Sequence, residues 1–186
     1  MTYSRTPYLL ALGLAVAAGL VMILMGRNLI CPCGDVLIWG GNTPTEQSSQ
    51  HLTDWYTPSH LLHGLLFYAA LWLVARRMPV GWRFLIAMAV ECAWEVVENT
   101  EWVISRYRDY TVSFDYNGDA VINAMVDIAA MALGFWLAHR LPVWASVAVV
   151  IGFEALTMTL IRDGLALNVL MLVWPLDSVL QWQQGG

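Results

Sequence analysis

Charge is what this sequence has least of. Only 12% of its 186 residues are Asp, Glu, Lys or Arg, about half the share of a soluble domain. Lysine is absent altogether, so all nine positive side chains are arginine. Set against 14 acidic residues, they leave a net charge of −5 and form no basic stripe, which argues against a nucleic-acid partner. No internal repeat, linker or low-complexity tract interrupts the chain, so a single domain over residues 1–186 is expected. There is no HExxH or ExxH, so a metal site would have to draw its ligands from different helices. There is no CxxCH either, which removes haem attachment.

What the chain does have is apolar length. It is 59% hydrophobic with a mean hydropathy of +0.58, the composition of an all-α integral membrane bundle. Five transmembrane helices are expected, at about 8–26, 58–75, 82–103, 119–138 and 143–161; each is long enough to cross a hydrocarbon core. The first span follows Arg5 as a signal peptide would, but no small-x-small cleavage pattern comes after it, so it is read as retained. The second opens at Thr57, Pro58 and Ser59, a helix-starting run. Residues 164–174 are too short to cross alone and Pro175 interrupts the pattern, so 164–182 is expected as a short kinked or interfacial helix. Leu172, Leu176, Val179 and Leu180 would share its apolar face.

Arginine placement suggests the orientation. Turns holding Arg76, Arg77, Arg83 and Arg140, together with Arg5, fall on one side; Arg27, Arg106, Arg108 and Arg162 fall on the other. The five-to-four margin puts the N-terminus in the cytoplasm of a bacterial inner membrane and loops 28–57 and 104–118 outside. Tryptophans mark the span edges, with Trp72 and Trp82 about one turn and Trp102 and Trp174 at the far interface.

Ionisable residues inside these spans carry the functional signal. They are His60, His63, Glu91, Glu95, Glu98, Asp119, Asp127 and Glu154. A charge at mid-bilayer costs roughly 2.5–3.5 kcal/mol, so three glutamates on one span would cost on the order of 8–10 kcal/mol facing lipid. They must face the protein interior. His60 and His63 are i, i+3; Glu91, Glu95 and Glu98 are i, i+4, i+7; Asp119, Asn123 and Asp127 are i, i+4, i+8, so each set lines one helix face. In the expected topology four helices deliver them to the outer side, with Glu91 and Asp127 deepest, around a cavity open to the periplasm. Imidazoles and carboxylates are ligands for a divalent metal ion. The expected set is His60, His63, Glu95, Glu98 and Asp119, with Asn123 orienting one of them and Asp127 deeper. The alternative is that the acids are protonated, or paired with Arg106, Arg108 or Arg162 to hold the bundle together.

A second set lies in the outer loop. Cys31-Pro32-Cys33-Gly34 meets an oxidising compartment if that loop is periplasmic. A disulfide over one intervening residue is strained and redox-labile, and thiolates so spaced could instead bind copper or zinc. Cys92 reads as a packing residue, His139 as a helix-end cation, and His51 and Asp54 as loop residues that could extend the site.

The runs HLTDWYTPSHLLHGLLFY, ECAWEVVENTEW, DYNGDAVINAMVDI and IRDGLALNVLMLVWP, with the CPCG loop, resemble an uncharacterised family of bacterial multi-pass inner-membrane proteins. That family often has serine after Gly-Asp, where this chain has Ala120. More remotely, His63 with Phe67, Glu95 with Glu98, and Asp119 with Asn123 are similar to motifs of VanZ-like membrane proteins of glycopeptide resistance and the cell envelope. Ser59 stands where those carry aspartate, and Glu98 where they carry glutamine. Three functions remain open. The cavity could be a metal-dependent or acid–base enzyme, hydrolase-like, on an envelope lipid or small molecule. It could be a non-catalytic binding or assembly factor for an ion or lipid headgroup. It could be an ion or proton transporter, although the inner halves of the spans are apolar.

Overall fold

The structure, a computed structural model, describes residues 4–43 and 45–185. It is built from helices: α1 (Thr6–Leu24), α2 (Thr57–Val74), α3 (Val80–Glu98), α4 (Glu101–Tyr110), α5 (Val121–Arg140), α6 (Val143–Ile161), α7 (Leu165–Val173) and α8 (Asp177–Gln183). Among the described residues the one extended pairing is an isolated bridge between Trp39 and Thr53. Three helices, α1, α5 and α6, are long and apolar enough to cross a membrane. Helices α2 and α3 have comparable lengths of 18 and 19 residues, and they carry His60, His63, Glu91, Glu95 and Glu98.

Helices α2 and α5 form the most extensive pair, and two glycines explain why. A Cβ on Gly64 would overlap Met131 O, and one on Gly134 would overlap Leu61 O. The two backbones therefore touch, the close approach that small residues permit between packed helices. One turn from that crossing, His60 is brought toward Asp127. Helix α3 packs against α1, α5 and α2, and the shared core of Ala11, Ala15, Phe84, Ala87, Met88, Ile128, Met131 and Phe135 fills the end of the bundle away from the acids. Cys92 is buried in the same core. Helix α6 buries only Thr157 and leaves an apolar groove of about 530 Å³ against α2.

The start of α5 shows how the loops serve the helices. Its first N–H groups have no partner within the helix, and the 28–50 loop provides acceptors. Ala120 N donates to Ser49 O at 2.9 Å, Val121 N to Asn28 O at 2.8 Å and Ile122 N to Leu29 O at 3.1 Å. Asp54 does the same for α2, accepting from Tyr56 N at 2.7 Å while Thr57 Oγ1 accepts from Asp54 N at 3.1 Å. Asp54 is thus a helix-start residue.

Two expected boundaries are corrected. The third span does not run to 103: α3 ends at Glu98, Asn99 and Thr100 break the helix, and α4 begins at Glu101. The cause is tertiary, because the Asn99 side chain donates both to Glu95 O and to Asp119 Oδ2. The C-terminal segment is two helices, α7 and α8, rather than one kinked helix, with the break at Trp174, Pro175 and Leu176. Proline has no N–H for the ladder and clashes with the preceding turn.

Candidate metal centre

Helices α2 and α3 deliver the two imidazoles to one carboxylate. His60 Nδ1 lies 2.8 Å from Glu91 Oε1, and His63 Nδ1 lies 3.0 Å from Glu91 Oε2. Glu91 is fully buried. His60 Nδ1 is also 3.2 Å from Glu95 Oε1, within ion-pair reach but without hydrogen-bond geometry, and His60 Nε2 is 4.0 Å from Asp127 Oδ2. His60, His63 and Glu91 form one compact ligand triad, and His60, Glu95 and Glu98 form another, each with all ligand atoms within 4.8 Å of one another. His60 belongs to both.

Around this centre some carboxylate oxygens are occupied and others are not. Glu98 Oε1 accepts from Tyr107 at 2.8 Å. Asp119 accepts from Tyr116 at 2.9 Å and from Asn99 Nδ2 at 2.6 Å. Burial, above all, raises the phenols of Tyr107 and Tyr116 well above the ordinary tyrosine range, and Glu98 and Asp119 add to it. Both therefore remain fixed O–H donors. Glu95 Oε1, Glu98 Oε2 and Asp127 Oδ1 are buried with no hydrogen-bond partner. A small polar cavity of about 20 Å³ lies among Tyr56, His60, Glu98, Tyr107, Asp119 and Asp127. A single water needs roughly 10–15 Å³ by this measure, so the cavity has room for one ion or one water.

The arginines that the alternative reading would pair with these acids go elsewhere. Arg106 donates to Leu172 O, Arg162 to Trp182 O, and Arg108 pairs on the surface with Glu101 at 3.4 Å. Among the described residues that last is the one arginine–carboxylate pair. Arg162 does not pair with Asp163. Asp163 accepts from Gly164 N at 2.9 Å and from Tyr56 at 3.3 Å, and burial pushes its carboxyl up to about 6.

Two further expectations change. Glu154 is not part of the cluster; its oxygens accept from Leu165 N at 2.8 Å and Ala166 N at 3.1 Å, at the start of α7. There a carboxylate satisfies free N–H groups and meets the positive end of the helix. Asn123 does not orient a ligand; its Nδ2 donates to His51 O at 2.8 Å, tying the loop to α5. Cys31 and Cys33 are joined to each other, and His51 lies beside them. His139 sits in the last turn of α5, with Nδ1 3.1 Å from the Tyr68 hydroxyl.

Glu91 was visible in the glutamate stripe but stood outside the expected ligand set. Depth identifies it: His63 lies six residues into α2 and Glu91 seven residues from the end of antiparallel α3, about 9 and 10.5 Å at 1.5 Å per residue. Nothing in the spacing singles out Asn99, Tyr107 or Tyr116, which reach the acids from beyond the end of α3, from α4 and from the loop before α5.

The chain matches, over residues 22–185, the family described as "Protein of unknown function (DUF2585)". It is 60% identical to a UPF0314 protein of Paracoccus denitrificans (strain Pd 1222), covering 98% of this chain and 94% of the relative. It is 51% identical to the UPF0314 protein R03235 of Rhizobium meliloti (strain 1021), covering 95% and 90% respectively. No solved structure matches it significantly.

Proposed function

The chain belongs to this family of proteins of unknown function, so its activity has to be read from its own residues, and we propose that it is a multi-pass inner-membrane protein that binds a divalent metal ion. The ion would be held by His60, His63 and Glu91, with Glu95, Glu98 and Asp127 completing or balancing the site. One observation carries this reading. Glu91, Glu95, Glu98, Asp119 and Asp127 meet two imidazoles and no arginine, and three of their oxygens have no partner. Buried carboxylates in such excess are stabilised by a cation or by protons. Nitrogen and oxygen ligands 2.0–2.2 Å from an ion in tetrahedral array lie about 3.4 Å apart. The 2.8–3.2 Å separations at His60 come close to that spacing.

Five spans, α1, α2, α3, α5 and α6, with the N-terminus cytoplasmic, complete the proposal. The length of α2 and α3 and the inward aim of their polar residues support the two less apolar spans. The arginine margin supports an acid cluster facing the periplasm. A lipid headgroup fits the cavity poorly, because 20 Å³ does not admit a phosphate ester. Transport finds no support beyond Glu91 and Asp127, where Ala87, Met88, Met131 and Phe135 fill the interior. The resemblance to VanZ-like proteins, carried by His63 with Phe67, by Glu95 and by Asp119 with Asn123, would add an envelope context to the proposal.

The test is elemental analysis of protein purified without chelator. Near-stoichiometric zinc, manganese or iron is expected, and it should disappear in the His60→Ala, His63→Ala double variant. Metal-free protein that takes up none of these ions would overturn the reading. A second reading, catalysis at the ion, draws on one observation. A pocket of about 150 Å³ among the loops shares Tyr56, Ser113 and Tyr116 with the small cavity, leaving room for a small substrate beside the site. Metal-dependent hydrolysis of a chromogenic ester or phosphodiester, lost in Glu95→Gln, would support it.

A further inference from the structure

The loop that starts α5 carries a second ligand cluster of different chemistry. Both sulfurs of Cys31 and Cys33 and one ring nitrogen of His51 lie within 4.8 Å of one another. Cys31 and His51 are buried, while Cys33 is exposed, so the cluster is held by the protein and reachable from solvent. The fold fixes the imidazole. Its ring lies against Gly40, where a Cβ would come within 2.8 Å of Cδ2, and its Nε2 is 3.2 Å from Gln47 Oε1. The contact from Leu37 N to Nδ1 is long at 3.4 Å, at the edge of hydrogen-bond range. The backbone oxygen of His51 takes the Asn123 amide, so the cluster is anchored to α5 between Asp119 and Asp127.

We propose that Cys31, Cys33 and His51 form a redox-gated copper(I) site, separate from the carboxylate centre. Two thiolates and one imidazole make a soft set of three. That suits copper(I), whereas zinc in a closed structural site takes four ligands. In the oxidised protein the two sulfurs are bonded to each other and neither is a thiolate. A dithiol reductant attacks one sulfur, forms a mixed disulfide and then closes its own disulfide. Two electrons pass to the Cys31–Cys33 bond and two protons go to the released sulfurs. Copper(I) then displaces both protons, and a ring nitrogen of His51 supplies the third ligand. The site is thus closed by oxidation and opened by reduction.

The test uses the full chain in detergent micelles on a Cys92→Ser background, which removes the buried free thiol. Protein reduced with a phosphine is titrated with the coloured copper(I)–bicinchoninate complex, and oxidised protein is run beside it. Reduced protein should strip one equivalent of copper and oxidised protein none. Cys31→Ser, Cys33→Ser should abolish uptake, and His51→Gln should weaken it at least about tenfold. X-ray absorption should show two sulfur neighbours and one nitrogen. The oxidised-against-reduced comparison needs no substitution at the cluster, so it stands even if a variant fails to fold. Equal uptake in both redox states, retention in the double cysteine variant, sulfur-only coordination unaffected by His51→Gln, or binding of zinc but not copper would each overturn the assignment. Because this cluster shares no ligand with His60, His63 or Glu91, its failure leaves the carboxylate site standing.

Discussion

Glu91→Leu separates a built site from a merely packed polar interior. Glu91 is fully buried, and its two oxygens face His60 Nδ1 at 2.8 Å and His63 Nδ1 at 3.0 Å. Leucine deprives both imidazoles of their acceptor. His60 keeps Glu95 at 3.2 Å, and His63 keeps no carboxylate in ion-pair reach among the described residues. Removing one side of a buried charged pair typically costs about 3–5 kcal/mol, and that is the loss expected here. Glu91→Gln retains one acceptor, so its cost falls to about 1.5–3 kcal/mol, that of a hydrogen bond to a charged group. Insertion should not suffer, since leucine makes α3 more apolar. The triple variant His60→Leu, His63→Leu, Glu91→Leu replaces the whole polar set with packing groups. It should regain most of the lost stability, because a buried ionic group exchanged entire for apolar side chains is often neutral or stabilising. Stability is read from loss of helical circular dichroism as dodecyl sulfate is titrated into mixed micelles. Metal affinity is read by calorimetry with zinc and manganese, and both variants should lose it. Glu91→Leu with unchanged stability and unchanged affinity would refute the bridging role. A triple variant as unstable as the single would refute the charge argument itself.

Three other outcomes are expected. Reporter fusions after Val80 should read cytoplasmic and fusions after Tyr110 periplasmic; reversed signs would place the cluster on the inner side. Asp163, with its carboxyl at about 6 against an ordinary 3.8, binds protons more tightly folded than unfolded. Its stabilising contribution is therefore whole below about pH 4 and is lost as pH rises through 6, a fall of roughly 2–3 kcal/mol. Asp163→Asn should flatten that stretch of a stability-against-pH curve. Gly134→Val forces a side chain into Leu61 O and should cost at least about 1–3 kcal/mol while also weakening metal binding by moving His60 from Asp127. Gly152→Val, with nothing within 4 Å of its Cβ, is the neutral control.

The helices were legible wherever their ends are set locally. The span at 143–161 coincides with α6, bounded by Pro142 at its start and by Arg162, in the left-handed region at φ 53°, at its end. The end of α3 was not, because Asn99 stops that helix by spending its amide on Asp119, twenty residues further on. Site legibility divides the same way. Each stripe of acids or histidines follows from the 3.6-residue period, but the pairing between stripes depends on how far one helix is slid along the next. The Gly64–Gly134 contact fixes that register for α2 against α5, and it comes from two chain positions seventy residues apart. Glu154 looked like one more buried acid because its partners, the free N–H groups at the start of α7, exist only because α6 ends at Arg162 and a new helix begins after Gly164.

The arginines bear most directly on what the acids are for. Arg27 shows that the fold could have placed a cation close by: its Nη1 donates to Asn117 O, and a Cβ on Gly118 would meet both Arg27 Nη1 and Asn99 Oδ1. Asn99 in turn holds Asp119. A guanidinium one residue from the cluster is thus turned onto a backbone carbonyl while Glu95, Glu98 and Asp127 keep oxygens without partners. If the acids served only to hold helices together, bidentate arginine pairing would satisfy them best. Leaving them short of fixed positive charge favours a cation that comes and goes, or protons that do. Metal analysis and the Glu91 series distinguish the two, since a proton-filled cluster would tolerate Glu91→Gln and take up no ion.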